Sequence, residues 1–358
     1  PDISGTHEFE IFGIGKCRLF INGNEVIDNW TDTSPGEAFF AFSSKSKKCS
    51  TDFVKGETYY IEATYKFEGN FPAIYIGCKT PERANLFEEA LTLASEADQV
   101  VLIVGTNSDW ETEGNDRAEF SLPANQDALV EAILEVNPNT TVVLNTGSPV
   151  EMPWIDQANA VIQTWFAGQE FGNALVDILS GAVNPSGKLP TSFPKNIEDT
   201  PAYAFYPGKD LQMNYEEKLL VGYKWYEAKN IQPLFPFGHG LSYTNFEYKD
   251  LEVEIRDNHE VSCKFHVKNT GSYIGAETAQ CYVGFLQKEE SDPMKTLQGF
   301  KKTNMSPNEM VEVEIVLNSR SFSSWNIEKE DWEIRPGSYQ IMIGSSSNKI
   351  LLQDEINL

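Results

Sequence analysis

Apolar and polar positions along this chain follow three rhythms in succession. From residue 5 to 80 they alternate with period two, in His7-Glu-Phe-Glu-Ile-Phe12, Arg18-Leu-Phe-Ile21, Tyr59-Tyr-Ile-Glu-Ala-Thr-Tyr65 and Ala73-Ile-Tyr-Ile76. Alternation of this kind turns one face of each strand to a core and the other to water, and the breaks at Asn22-Gly23 and Glu68-Gly69 suit tight hairpins. The first segment is predicted to be a β-sandwich rather than a catalytic unit.

Between 85 and 200 the rhythm changes. Phe87, Ala90, Leu91 and Leu93 recur at helical spacing within 85–96, and the continuous apolar run 100–104 follows. A second helical pattern covers 122–136, with Pro123 at its start, and 141–145 reads as the next strand. Residues 160–165 supply a third strand and 172–179 a third helix. Helices alternating with apolar strands predict an α/β sandwich with a mainly parallel sheet, whose ligands gather at the carboxyl ends of the strands. From 246 to 350 alternation returns, in 251–255, 261–267, 280–285, 310–317 and 337–343, and predicts a second, small β-sandwich. Residues 201–245, rich in Tyr, Pro and Gly, are expected to run across the α/β body as a connecting segment.

Length and charge narrow the functional classes. With 358 residues the chain exceeds the size at which one core stops growing, in keeping with several domains. Its 53 acidic and 28 basic residues give a formal charge of -25, which repels phosphates and argues against a nucleic acid partner. The longest apolar runs, 100–104 and 141–144, fall far short of the roughly 20 residues needed to span a bilayer, so no membrane partner is expected. Cys17, Cys49, Cys78, Cys263 and Cys281 are scattered without the spacing of a zinc site. A disulfide among the first three, or between Cys263 and Cys281, stays open. His7, His239, His259 and His266 are too dispersed for a metal cluster; His239, within Pro236-Phe-Gly-His-Gly240, reads as a packed turn residue, with a substrate-facing role as the alternative. Glycosylation acceptors stand at Asn29-Trp-Thr31, Asn139-Thr-Thr141 and Asn304-Met-Ser306. The start, Pro1-Asp-Ile without methionine, is expected to reflect truncation, with processing or engineering as alternatives.

The candidate chemistry lies directly after the run 100–104, in Gly105-Thr-Asn-Ser-Asp-Trp-Glu-Thr-Glu-Gly-Asn-Asp-Arg117. A buried strand ending in an acid-rich turn presents carboxyl groups at the rim of an α/β sheet. Glu111 is the candidate acid/base, with the Trp110 indole as an apolar wall for a sugar, and Glu113 is the second choice. Asp109 is expected to orient the loop or a sugar hydroxyl. Asp116 and Arg117 are expected to form a structural pair, the guanidinium fork tying the loop to backbone carbonyls or a carboxylate. The glycines form neither Gly-x-Gly-x-x-Gly nor a phosphate loop, and Ser148 and Ser186 lack a Gly-x-Ser-x-Gly setting, so dinucleotide and serine-hydrolase chemistry are set aside.

Four stretches carry a family resemblance: Asp109-Trp-Glu-Thr-Glu-Gly-Asn-Asp-Arg117, Gln163-Thr-Trp-Phe-Ala-Gly-Gln-Glu-Phe-Gly172, Gly181-Ala-Val-Asn-Pro-Ser-Gly-Lys-Leu-Pro190 and Phe235-Pro-Phe-Gly-His-Gly-Leu-Ser-Tyr243. Over almost its whole length the chain resembles the family 3 glycoside hydrolases, in particular fungal or yeast β-glucosidases. The resemblance implies the distal part of a protective-antigen-type β-sandwich in 1–82, the family's α/β sandwich in 83–200, the connecting segment in 201–245 and a fibronectin type III-like domain in 246–358. It further implies retaining hydrolysis of terminal non-reducing β-D-glucosyl residues, with Glu111 as general acid/base and no metal or organic cofactor. In the family the nucleophile is an aspartate on a preceding (β/α)8 barrel. Such a barrel takes about 250 residues, whereas fewer than 100 precede the α/β motifs here.

The implied partners are β-glucosides and cello-oligosaccharides together with the missing barrel; a homo-oligomer is left open. A secreted or cell-wall location is favoured, with a cytoplasmic one as the alternative. The rival readings are a carbohydrate-binding or cell-surface protein without catalysis, and a β-xylosidase or exo-glucanase of the same family.

Overall fold

In the computed structural model, which describes residues 1–81, 85–114, 116–117, 119–210, 212–289 and 291–358, the alternating runs of the first segment become six strands. They are β1 (Gly5–Gly13), β2 (Gly15–Ile21), β3 (Asn24–Asn29), β4 (Lys47–Phe53), β5 (Ile61–Phe67) and β6 (Ile74–Lys79). Two antiparallel sheets, β4-β1-β6 and β3-β2-β5, enclose Phe9, Ile11, Cys17, Leu19, Ile21, Ile27 and Phe53. Along β1 every second side chain from His7 to Ile11 is buried, as period-two burial requires. Cys49 on β4 and Cys78 on β6 both lie opposite Phe9. They are therefore two strand spacings apart, about 9.6 Å, beyond the reach of a disulfide. All five cysteines carry free thiols.

Asn29 ends β3 fully buried, its side-chain amide donating to Ser44 Oγ at 2.9 Å and to the Lys45 carbonyl at 3.0 Å. The first glycosylation acceptor is thereby closed, whereas Asn139 and Asn304 are exposed. The adjoining turn hangs on Asp28. The Thr31 hydroxyl, then the Thr31 and Trp30 amides, hydrogen-bond its carboxylate and draw its pKa from 3.8 to about 2. This support is present above pH 3.8 and is lost as pH falls through about 2. The Thr31 amide resonance is expected to follow that transition and to stop doing so in Asp28→Asn.

The chain divides into the units Pro1–Glu89 and Ala90–Leu358; the 82/83 boundary expected from sequence lies outside the described residues. In the second unit β7 (Val100–Gly105), β8 (Thr140–Asn145) and β9 (Ala160–Gln163) form a parallel sheet in that order. The helices Gln126–Val136 and Phe171–Leu179 accompany it. Central β8 buries Val142, Val143 and Leu144 completely, with Val142 and Leu144 packed in one core with Val130, Leu134, Trp154 and Phe193. Edge strand β7 leaves Val101 and Ile103 about half exposed on one face. The predicted helix at 122 begins only at Gln126, because Ala124 has a φ of 54°, a left-handed conformation that interrupts a helix. A φ of 56° at Trp165 stands just beyond the end of β9, which stops at Gln163 instead of 165.

The last segment folds as β10 (Phe246–Ile255), β11 (Val261–Asn269), β12 (Gly275–Phe285), β13 (Thr296–Met305), β14 (Met310–Leu317), β15 (Ser323–Asn326), β16 (Asp331–Ile334), β17 (Ser338–Ser346) and β18 (Lys349–Asn357). Sheets β10-β11-β14 and β13-β12-β17-β18 supply the two sides of one apolar core, which includes Cys263, Phe265, Cys281 and Ile341.

Two of the sequence motifs join this sandwich to the α/β body. The Leu189 amide donates to the His239 carbonyl and the Gly238 amide to the Leu189 carbonyl, both at 2.8 Å, while Phe193 and Phe235 exchange backbone hydrogen bonds. Lys188 Nζ reaches the Gly240 carbonyl at 3.2 Å and both carboxylate oxygens of Glu277, on β12, at 3.3 Å. Gln280 Nε2, also on β12, donates to the carbonyls of Gly238 and Ser345. Gly238 has a φ of 80°, and a Cβ there would fall 2.2 Å from Gln280 Oε1, so only glycine fits. His239 stacks on Phe235 at 5.1 Å. Burial, and then the charges of Lys188 and Lys349, hold its imidazole below the usual range, as befits a neutral packing residue.

Candidate active site

The site is built where β7 and β8 end side by side. At Gly105 a Cβ would lie 2.1 Å from the Asn145 carbonyl oxygen, so glycine lets the two strand ends close together. The Gln126 side chain latches this end from the following helix: its Oε1 accepts from the Gly105 amide at 2.7 Å and its Nε2 donates to the Gly105 carbonyl at 2.9 Å. The chain then turns sharply, since the Asn107 carbonyl accepts from the amides of both Trp110 and Glu111, at 3.0 and 2.8 Å. Asn107 Oδ1 takes the Asp109 amide. One short turn thereby points Glu111 back over the strand ends.

Three donors receive the Glu111 carboxylate. Thr106 Oγ1 and the Gly147 amide donate to Oε1, at 2.5 and 3.1 Å, and Ser148 Oγ donates to Oε2 at 3.1 Å. A Cβ at Gly147 would stand 2.6 Å from Glu111 Oε2 and 2.6 Å from the Phe166 ring, so the backbone approaches the carboxylate only because residue 147 has no side chain. Behind Ser148 stands Arg117, donating to Ser148 Oγ at 2.7 Å, to the Pro149 carbonyl at 3.0 Å and to the Phe120 carbonyl at 3.2 Å. A relay thus runs from guanidinium through hydroxyl to carboxylate. Burial lowers the Arg117 pKa, and the nearby Glu111 charge works the other way.

The expected pairing of Asp116 with Arg117 is corrected here. Arg117 turns inward to two carbonyls and a hydroxyl, whereas Asp116 is exposed and accepts a hydrogen bond from the Tyr206 hydroxyl. The two neighbours engage different partners, and the carbonyls at 120 and 149 fill the guanidinium fork, the backbone-carbonyl alternative of the sequence reading. Tyr206 titrates above its usual range because of that hydrogen bond and the Asp116 charge. Trp110 is half-buried and its Nε1 is enclosed without a hydrogen-bond partner among the described residues. Asp109 and Glu113 are exposed and take none of the donors around Glu111. Asn115 of the same motif lies outside the described residues.

Thr106, Gly147 and Ser148 were missed as site residues. In the sequence Ser148 invites only a nucleophile reading, and the glycines only a phosphate-loop one. The available signal was positional: in a parallel sheet the loops after neighbouring strands meet at one rim, so residues 146–148 after β8 must face residues 106–111 after β7.

Chemically, this is a carboxyl group with unequal oxygens. Oε1 accepts two hydrogen bonds and Oε2 one, so Oε2 keeps the larger spare capacity to carry or accept a proton.

Against known proteins, residues 22–243 match the glycosyl hydrolase family 3 C-terminal domain, and residues 277–347 match the fibronectin type III-like domain. The chain is 36% identical, over 98% of its length and 44% of the relative's, to a probable beta-glucosidase I of Emericella nidulans. It is 43% identical to thermostable beta-glucosidase B of Acetivibrio thermocellus, over 76% of this chain and 37% of that one. Among solved structures, beta-glucosidase from Kluyveromyces marxianus in complex with glucose superposes with a TM-score of 0.86 at 34% identity, covering 100% of this chain and 44% of that one. The chain thus spans less than half the length of these relatives.

Proposed function

We propose, because this chain belongs to glycosyl hydrolase family 3, that it supplies the general acid/base, Glu111, of a retaining β-glucosidase whose nucleophile stands on an upstream (β/α)8 barrel of the same protein. The observation that carries this reading is the seating of Glu111 at the carboxyl rim of the parallel sheet, with Oε1 anchored by Thr106 and Gly147 and Oε2 less committed. In the first half-reaction a proton on Oε2 passes to the departing glycosidic oxygen while the barrel aspartate forms the glucosyl ester. In the second, the carboxylate takes a proton from the water that attacks that ester. Arg117 keeps Ser148 oriented and the loop closed; Trp110, Asp109, Glu113 and Asp116 belong to the loop that brings Glu111 to the sugar.

The substrates are β-glucosides and cello-oligosaccharides. Residues 1–82 act as the distal part of a protective-antigen-type module, and the protein works outside the cell or at the wall. Two carboxyl groups about 5 Å apart are needed for retention, so the 358-residue chain alone is expected to leave an aryl β-glucoside intact when circular dichroism shows it folded. Turnover by the barrel-free chain that disappears in Glu111→Gln would overturn the division of labour, since a nucleophile would then reside here.

A further inference from the structure

The motif 163–172 takes no part in the proposed proton transfer, yet it forms a third loop at the rim that holds Glu111. This loop follows β9 and is fastened to β8 and the turn beyond it. Thr164 donates from its amide and from its hydroxyl to the Leu144 carbonyl, at 2.9 and 2.8 Å, and Gln163 Nε2 donates to the Thr146 carbonyl at 3.0 Å. At Trp165 the backbone takes a φ of 56°, a conformation that a bulky residue adopts only at a cost. The Trp165 ring packs into the core beside Phe193, whereas the next ring, Phe166, stands 53% exposed.

A single exposed phenylalanine is ordinary on a protein surface. What distinguishes this one is the strained turn that presents it and the carboxylate beside it. Phe166 Cε2 and Glu111 Oε2 are each 2.6 Å from the point that a Cβ on Gly147 would occupy, so they are at most about 5 Å apart. Oε2 is the oxygen assigned to carry the proton, and the glycosidic oxygen it serves must come within about 2.6–3.2 Å of it. The group bonded to that oxygen is then in reach of the ring, since apolar contact is made at about 4 Å. Trp110, the wall expected from the sequence, is half-buried with its Nε1 enclosed and offers less surface. An open aromatic face suits a ring-shaped partner, either an aryl group or the C–H face of a sugar. We infer that Phe166 is a specificity-determining residue for the aglycone: its exposed ring receives the ring of the departing group and favours aryl and glycosyl β-glucosides over small alkyl ones. This rests on the role proposed for Glu111.

The test compares kcat/KM for phenyl β-D-glucoside with that for methyl β-D-glucoside in a longer protein that includes the barrel. Phe166→Ala is expected to lower the phenyl-to-methyl ratio about tenfold or more. Phe166→Leu, which keeps an apolar side chain without the aromatic face, should lower it in the same direction, and Phe166→Tyr should retain it. The pH profile on the methyl glucoside should not move in any of the three, because the ring carries no proton. An unchanged ratio overturns the inference, and so does an equal loss on both glycosides, which would mean that the ring only packs the loop or docks against another part of the protein. Glu111→Gln is measured beside them. A ratio that falls in Phe166→Ala while Glu111→Gln keeps full activity supports the aglycone contact and removes the proposed acid/base; a ratio untouched by Phe166→Ala in a protein that Glu111→Gln disables does the reverse. A longer protein that turns over neither glycoside overturns both.

Discussion

On the proposed reading, Glu111→Gln in a longer protein that includes the barrel is expected to lower kcat on a β-glucoside with a poor leaving group by about 10²- to 10⁴-fold, the range that a positioned general acid/base contributes. That corresponds to roughly 3–5 kcal/mol of lost transition-state stabilisation. Glutamine keeps the shape of the side chain, and its carbonyl oxygen can still accept from Thr106 and the Gly147 amide, so the loop should stay in place. With an activated aryl glucoside, bond cleavage needs little acid help but the ester still needs a base for hydrolysis. Burst kinetics with accumulation of the glucosyl-enzyme should therefore appear. A variant that loses less than about tenfold on both substrate types would exclude Glu111 from proton transfer. Proper folding is checked by an unchanged melting temperature.

The second large effect is on stability. Lys188→Met is expected to cost about 3–5 kcal/mol, because it leaves a buried carboxylate without its countercharge. Glu277 is 6% exposed at its side chain and Lys188 14%, and the other side-chain partner of Glu277 among the described residues is the Tyr248 hydroxyl at 2.9 Å. Burial first, and then the Glu277 charge, push the Tyr248 pKa well above its ordinary value, so this hydroxyl stays protonated and donates. Replacing both members of the pair, Lys188→Met with Glu277→Leu, should recover most of the loss, since an apolar pair of similar volume is often no worse than a buried ion pair. A double-mutant cycle followed by thermal denaturation reads the coupling directly. Additive losses would show that the pair is not energetically joined.

Much of the architecture was legible because burial follows simple periods. β1 buries every second residue from His7 to Ile11, and β8 carries the continuous apolar run Val142-Val-Leu144, as strands with one or two covered faces must. β4 is a different case: in Lys47-Lys-Cys-Ser-Thr-Asp-Phe53 the inward positions alternate, but only Cys49 and Phe53 among them are apolar and join the core, so the period is faint in the sequence. The hairpin β15-β16 was likewise invisible, since it stands apart from both sheets of its sandwich. At the site, the acidic loop announced Glu111 through its composition. Its three donors did not, because a backbone amide at Gly147 has no side chain to read and Thr106 and Ser148 are ordinary residues. Only the parallel order of β7 and β8 makes them neighbours. Arg117 was legible in part: its fork ties the loop to backbone carbonyls, one of the two alternatives its chemistry offered, whereas adjacency to Asp116 suggested a pair that the structure does not show.

The seam formed by Lys188, Gly238, Gln280 and Ser345 bears on how the second unit comes apart. Because both ends of the connection are clamped to β12, the α/β body and the sandwich have no simple hinge between them, and separating them means unpairing a buried charge. Heat should therefore take them through a single calorimetric peak. A protease that cuts the exposed stretch near Leu241 and Tyr243 should yield two fragments that still migrate as one species on a native gel and part only under denaturing conditions.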